Sequence, residues 1–162
     1  MQDKKPKIGI TIGDINGVGP EVIIKMLSNE HIFQYCTPII YGSNRVLSYY
    51  KKLLNNNTFR YSALNDWSKL MDKQANVVST IEDEPEIQVG QETAIAGKYA
   101  LDAIDKALED WKEGKIDALL TAPINKNTVA KAAEGKFTGH TEYLAEKTGA
   151  DDSLMILFAD NL

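Results

Sequence analysis

The 162-residue chain contains one cysteine, Cys36, two histidines and no long run of apolar residues. One cysteine excludes an internal disulfide and a cysteine-based zinc cluster. No stretch approaches the roughly 18 apolar residues that span a membrane, and the lysine-rich N-terminal residues are not followed by the apolar run of a signal peptide. We therefore expect a protein of the cytoplasm that is not inserted in a membrane.

The sequence also lacks an excess of positive charge. Its 18 Lys and Arg residues against 23 Asp and Glu residues give a formal net charge of -5. This charge provides no general attraction for nucleic acid or for an anionic membrane, so neither is an expected partner. A small anionic substrate would have to be bound by a local group of residues.

Short β-branched segments alternate with amphipathic helical segments along the chain, which indicates an α/β fold with a largely parallel sheet flanked by helices. The pattern predicts strands at residues 7–12, 38–41, 76–81, 116–121 and 153–159. It predicts helices at residues 21–28, 44–54, 92–113, 127–134 and 141–147.

The last predicted strand, residues 153–159 (SLMILFA), is too apolar for an exposed sheet edge. A partner strand is therefore expected, and two sources of it are open. Either the chain is truncated before the strand that would pair with this segment, which we favour, or a second subunit covers it.

The first candidate site motif is the glycine-rich loop 13–19, which connects a predicted strand to a predicted helix. Its three glycines permit a tight turn and a close approach of the backbone to a ligand, and the helix N-terminus offers free N–H groups. Asp14 would repel phosphate and suits a hydroxyl or an amine better. The alternative is a tight turn in which Asp14 accepts bonds from backbone N–H groups.

The second motif, residues 121–126 (TAPINK), follows the carboxyl end of a predicted strand, where open α/β sheets place their ligands. Lys126 is a cation suited to a carboxylate or a phosphate, and Asn125 can cap the next helix. The alternative is a solvated lysine in a first helical turn, where a cation is unfavourable.

The third motif, residues 137–142 (FTGHTE), places His140 and Thr141 at the start of a predicted helix. The helix dipole there is expected to lower the pKa of a histidine, and a neutral imidazole can donate one hydrogen bond and accept another. The alternative is that Thr141 caps the helix and His140 is a surface residue. His31 and His140 are 109 positions apart, and no His, Asp or Glu spacing in the sequence is typical of a metal site.

Together, the three motifs in this order resemble one enzyme family. Residues 10–22 (ITIGDINGVGPEV), then TAPINK and FTGHTEY, are similar to the 4-hydroxythreonine-4-phosphate dehydrogenases. The opening is also similar to the GDGIGPEV opening of isopropylmalate and isocitrate dehydrogenases. The resemblance runs through the whole chain, covers roughly half of a family member, and implies an isocitrate/isopropylmalate dehydrogenase-like fold of two α/β lobes around a cleft.

The resemblance implies oxidation of 4-phosphooxy-L-threonine by NAD, followed by decarboxylation to 3-amino-2-oxopropyl phosphate, in pyridoxal 5′-phosphate biosynthesis. It also implies a homodimer and a divalent cation (zinc, magnesium or cobalt) that polarises the reacting oxygen. His140 and Thr141 match the family's substrate-binding pair, and Asp14, Asn16 and Lys126 lie on loops that would face the cleft.

Residues 1–125 would form most of the first lobe and residues 126–162 the start of the second, substrate- and metal-binding lobe. The family's metal ligands are three histidines that follow the His-Thr pair at positions beyond Leu162. We therefore expect no metal ligand in this chain and no turnover by these 162 residues alone. Two alternatives remain, namely a related dehydrogenase for another four-carbon phosphorylated hydroxy acid and a non-catalytic α/β binding module.

Overall fold

The computed structural model describes residues 5–83, 85–133 and 137–159. Five strands form one sheet in which every neighbouring pair is parallel. The strands are β1 (Lys7–Thr11), β2 (Thr37–Gly42), β3 (Tyr61–Ala63), β4 (Ala75–Ser79) and β5 (Ala118–Thr121). The helices are α1 (Gly19–Leu27), α2 (Ile32–Tyr35), α3 (Asn44–Leu53), α4 (Ala94–Lys112), α5 (Lys126–Ala132) and α6 (His140–Thr148), with a short 3-10 turn at Trp67–Lys69.

The strand order is β3-β4-β2-β1-β5, which places the first strand beside the last. From β1 the chain proceeds outward through β2 to β4 and β3, and it then returns through α4 to β5 on the other side of β1. The direction of winding therefore reverses between β1 and β5. In open parallel sheets, ligands bind at this reversal, outside the carboxyl ends of the two strands.

Burial of the central strands explains why the sequence forms this sheet. All six residues of β2 are buried, and Ile39 and Ile40 are fully inaccessible to solvent. Helices α1 and α3 pack against each other, whereas α4 packs on β1, β2 and β5. Because parallel crossovers are right-handed, the reversal of winding places α4 on the face opposite α1 and α3. The prediction of an α/β fold with a parallel sheet between helices is confirmed.

The helix ends follow the local chemistry that the sequence indicates. Pro20 lies in the first turn of α1, and the Ser43 hydroxyl accepts a hydrogen bond of 3.2 Å from the Arg45 N–H at the start of α3. Gly114 and Gly149 end α4 and α6 with φ values of 70° and 69°, which glycine adopts without strain.

The strand predicted at residues 153–159 is wrong. These residues have no regular secondary structure, and the side chains of Leu154 to Phe158 are 72–88% exposed. A strand exists only where a neighbour accepts and donates its backbone hydrogen bonds, and no described strand lies beside this segment. Apolar composition alone was therefore not a sufficient signal.

A second, smaller apolar cluster joins α4 to the residues that follow β5. Ala100 and Leu101 of α4 pack there with Val129 of α5 and with Phe137. The predicted boundary between two lobes at residues 125 and 126 falls at the start of α5 and stays a prediction. Among the helices of residues 5–83, 85–133 and 137–159, none is long and apolar enough to cross a membrane.

Candidate functional site

The glycine-rich loop after β1 is pressed against the loop after β5. Gly13 has a φ of 72°, and a Cβ atom at this position would lie 2.4 Å from the Pro123 carbonyl oxygen. The N–H of Asp14 donates a 3.0 Å hydrogen bond to the same oxygen. Only glycine permits both the left-handed backbone and this approach, so the sequence brings its first two motifs together at the ends of β1 and β5.

Asp14 shapes the first loop and also faces the space beside it. Its side chain is 8% exposed, and Oδ1 accepts a 2.8 Å hydrogen bond from the N–H of Asn16. The predicted alternative, a carboxylate bonded to backbone N–H groups, is thus observed for one oxygen. In the described part of the chain Oδ2 makes no hydrogen bond, which leaves one oxygen for a ligand.

Asn16 joins the first loop to a segment far away in the sequence. Its side chain is 1% exposed, and its Oδ1 accepts a 2.8 Å hydrogen bond from the N–H of Gln88. Its Nδ2 donates to the carbonyl oxygen of Gln91 at 3.1 Å and to the hydroxyl of Thr93 at 3.0 Å. These bonds use both amide donors and one acceptor position of the side chain, so Asn16 links the glycine-rich loop to residues 88–93.

Residues 88–93 form a third wall of the site, beside the loops after β1 and β5, and the sequence analysis did not predict it. The side chain of Glu92 lies beside the second motif, where its Oε1 accepts a 2.8 Å hydrogen bond from Nδ2 of Asn125. A signal was available in the sequence, because residues 80–92 follow the carboxyl end of β4 and precede Thr93, which caps α4. Loops at that end of a parallel sheet are the ordinary places for ligand contacts.

The three walls enclose an open cavity of about 260 Å³ at the reversal between β1 and β5. Three segments line it, and the described residues of this lining include two carboxylates and no lysine or arginine. The lining residues are Asp14, Asn16, Gly17, Val18, Gly90, Gln91, Glu92, Pro123, Ile124 and Asn125. The volume lies just below the range of roughly 300–1,000 Å³ that is usual for small-molecule sites, as expected of one side of a cleft.

Asn125 and Lys126 connect this cavity to α5. The Asn125 side chain accepts hydrogen bonds from the N–H groups of Asn127 and Thr128 at 2.9 and 3.2 Å, which confirms the predicted cap. Lys126 is the first residue of the helix and is exposed. In the described ranges it has no ion-pair partner, so its ammonium group is available to an anion.

His140 opens α6, one residue earlier than predicted, and Gly139 occupies the cap position in place of Thr141. Burial, and then the positive charge of Lys126, hold the pKa of His140 below its usual value. The neutral imidazole that the sequence predicts is therefore favoured. The Nε2 atom is buried without a hydrogen-bond partner in the described residues, and such an atom is an unused donor or acceptor.

The predicted residues therefore fall into two groups, one that lines the cavity and one that lies beside Lys126. Asp14 and Asn16 line the cavity, and Lys126 directly follows Asn125, which lines it as well. His140 is outside that lining but lies near enough to Lys126 for the charge to lower its pKa. Thr141 is half-buried beside it on the same helix. Among residues 5–83, 85–133 and 137–159, no group of three His, Cys, Asp or Glu side chains could hold a metal ion.

Comparisons with known proteins agree with this architecture. Residues 34–162 match the family model described as "Pyridoxal phosphate biosynthetic protein PdxA". A "4-hydroxythreonine-4-phosphate dehydrogenase" of Bacteroides thetaiotaomicron is 43% identical over 99% of this chain and 44% of its own length. A "Putative D-threonate 4-phosphate dehydrogenase" of Oceanobacillus iheyensis is 36% identical over 98% of this chain and 48% of its own.

A solved structure shows the same fold. The crystal structure of a 4-hydroxythreonine-4-phosphate dehydrogenase from Burkholderia phymatum superposes with a TM-score of 0.82 at 34% identity, over 93% of this chain and 46% of that one. The chain therefore spans about half the length of the relatives that it matches.

Proposed function

Because the chain belongs to the family of the pyridoxal phosphate biosynthetic protein PdxA, we propose that it forms one side of the active site of a dehydrogenase. The proposed substrate is 4-phosphooxy-L-threonine, which would be oxidised with NAD and decarboxylated to 3-amino-2-oxopropyl phosphate. The observation that carries this proposal is the cavity at the reversal between β1 and β5, which is lined by two of the three predicted motifs.

The anionic part of the substrate is assigned to the pair Lys126 and His140. A lysine ammonium group binds phosphate or carboxylate by a charge-assisted hydrogen bond, and Lys126 has no ion-pair partner in the described residues. His140 is held neutral and has one buried ring nitrogen without a partner. Thr141 adds a hydroxyl on the same turn of α6. In this arrangement Asn16 acts through the loops that it holds, because its amide is already bonded within the chain.

The cofactors implied by the resemblance do not fit the described residues taken alone. No described group of side chains could hold zinc, magnesium or cobalt. The glycine-rich loop is not the fingerprint of a dinucleotide-binding turn, and the cavity is small for a dinucleotide. We assign neither group to residues of this chain.

The remainder of the proposal concerns the whole protein. Since the chain spans about half of its relatives, we propose that residues outside it complete the cleft, in a homodimer whose subunits both contribute to each active site. The 162 residues alone are then expected to bind the phosphorylated acid without oxidising it.

The direct test is an NAD-reduction assay on the protein as its gene encodes it, with 4-phosphooxy-L-threonine and D-threonate 4-phosphate as substrates. We expect a higher kcat/KM for the first. D-Threonate 4-phosphate is included because the relative from Oceanobacillus iheyensis is named for it. A higher kcat/KM for D-threonate 4-phosphate would make that acid the proposed substrate. No turnover of either compound would contradict the proposed function.

Replacement of His140 by alanine is expected to raise the KM for the phosphorylated acid about 10- to 100-fold, because a hydrogen bond to a charged group contributes roughly 1.5–3 kcal/mol. Steady-state kinetics with saturating NAD would measure the change. The matched control is His31→Ala, since His31 is exposed and the only hydrogen bond of its ring in the described residues is to the side chain of Gln34. Equal kinetics for the two variants would return His140 to a structural role.

A further inference from the structure

We propose that the cavity between the three loops holds the ammonium group of the substrate, with Asp14 and Glu92 as its acceptors. These two carboxylates would then favour a phosphorylated amino acid over the corresponding acid in which a hydroxyl group replaces the amino group. The inference rests on the proposed function, which names both acids as substrates to be compared, and it assigns the group that separates them.

The composition of the cavity lining is the first argument. Asp14 and Glu92 supply two negative charges, while no lysine or arginine of the described residues belongs to the lining. A phosphate or carboxylate group would be repelled there, whereas an ammonium group has three donors and no acceptor and matches two carboxylates. The nearest assigned cation, Lys126, lies just outside the lining, so the anionic and cationic ends of the substrate have separate places.

The free oxygen of Asp14 is the second argument. The side chain is more than nine-tenths buried and lines the cavity, and its hydrogen bond to the N–H of Asn16 uses Oδ1 alone. Oδ2 has no hydrogen-bond partner in residues 5–83, 85–133 and 137–159. Solvent still reaches Oδ2 from the cavity, so a donor that enters the cavity can form a charge-assisted hydrogen bond with this oxygen.

Glu92 is held in position from two sides. Oε1 accepts a hydrogen bond from Asn125, and the backbone around it is fixed by bonds from Asn16 to Gln91 and from Gly90 to the Asn16 carbonyl oxygen. An exposed glutamate would otherwise lose considerable side-chain entropy when it binds a ligand. Because these bonds restrict Glu92 beforehand, its charge can contribute to binding with a smaller entropic penalty.

The choice between amine and hydroxyl matters for this family, since relatives of the chain carry both names. 4-Hydroxythreonine 4-phosphate and threonate 4-phosphate differ at the second carbon, which carries an amino group in the first and a hydroxyl group in the second. His140, Thr141 and Lys126 are assigned to anionic groups common to both acids, so they cannot separate them. A hydroxyl group has a single donor and no charge, so it can bond only one of the two carboxylates and leaves their negative charges unbalanced, whereas an ammonium group has three donors and a positive charge.

The test compares Glu92→Gln with the unmodified protein, as encoded by its gene, by isothermal titration with each of the two phosphorylated acids. Glutamine keeps the length of the side chain and an oxygen that accepts from Asn125, but it removes the charge. We expect the Kd for 4-phosphooxy-L-threonine to rise about tenfold, with the Kd for D-threonate 4-phosphate changed less than twofold. Asp14→Asn, which retains the acceptor for the Asn16 N–H, should shift the ratio in the same direction.

The control is Glu86→Gln, because Glu86 is an exposed acid on the same connection and lies outside the cavity lining. An equal loss of affinity for both acids in Glu92→Gln, or no loss for either, would overturn the ammonium assignment while leaving the proposed function in place. If the unmodified protein binds neither acid, the proposed function fails and the assignment fails with it.

Discussion

Replacement of Gly97 by alanine is expected to lower the free energy of unfolding by about 1–3 kcal/mol, although alanine is the better helix former. Gly97 lies in the first half of α4, and α5 crosses directly over it. A Cβ atom at this position would lie 2.2 Å from the carbonyl oxygen of Thr128 and 2.4 Å from its carbonyl carbon. Both atoms belong to the backbone, so the clash cannot be relieved by a side-chain rotation and α5 must move as a unit.

The displacement of α5 would also affect the candidate site. Asn125 caps this helix and bonds Glu92, and Lys126 is its first residue. The variant should therefore bind the phosphorylated acid more weakly than its lost stability alone explains. Urea unfolding measures the first effect, and isothermal titration at a temperature where the variant remains folded measures the second.

Lys98→Ala serves as the matched control for Gly97→Ala. Lys98 is the next residue of the same helix, and its contact with Asp102 is a surface ion pair, which contributes little. We expect its unfolding free energy to stay within about 0.5 kcal/mol of the unmodified protein. A Gly97→Ala protein as stable as this control would show that α5 does not lie as close to α4 as the structure has it.

Gly97 also illustrates where the sequence is informative without being specific. A glycine in a helix interior costs about 1 kcal/mol relative to alanine and often marks a close neighbour. The sequence alone does not identify that neighbour, because Thr128 is 31 positions away and its approach depends on how α5 packs. The bounds of α4 were predicted within two residues at either end, since its apolar spacing and Gly114 are local signals.

In the candidate site, too, local signals predicted some elements, whereas elements that depend on distant contacts were missed. The loops after β1 and β5 were predicted as ligand loops, because each carries its own glycine, proline or lysine signal and each follows a strand. The wall at residues 90–92 was missed, since its place depends on hydrogen bonds between Asn16 and two residues that lie 72 and 75 positions away in the sequence. Strand β3 was missed for a related reason, because a three-residue edge strand, Tyr61–Ala63, has too few residues to show a period.

The residues around Lys126 allow the sharpest separation of a binding role from a structural one. Lys126→Met keeps an unbranched side chain, one heavy atom shorter, and removes its charge. If Lys126 binds the phosphate or carboxylate of the substrate, the KM should rise about 10- to 100-fold with a smaller change in kcat, since a charge-assisted hydrogen bond contributes roughly 1.5–3 kcal/mol. The stability of the protein should hardly change, because the side chain is exposed and a cation at a helix N-terminus is unfavourable.

The same variant has a readout that needs no substrate. The charge of Lys126 is one of the two causes that lower the pKa of His140, the larger being burial. Removal of the charge should therefore move the pKa of His140 upward, toward but not up to its ordinary value, in an NMR titration of the imidazole. Lys131→Met is the control, because Lys131 is exposed in the last turn of the same helix and its replacement should leave both the KM and the titration unchanged.

A pKa of His140 that rises while the KM stays constant would place Lys126 beside His140 but outside the substrate contacts. If neither quantity changes, the second and third motifs do not act at one site, and the assignment of the anionic end of the substrate to them is wrong.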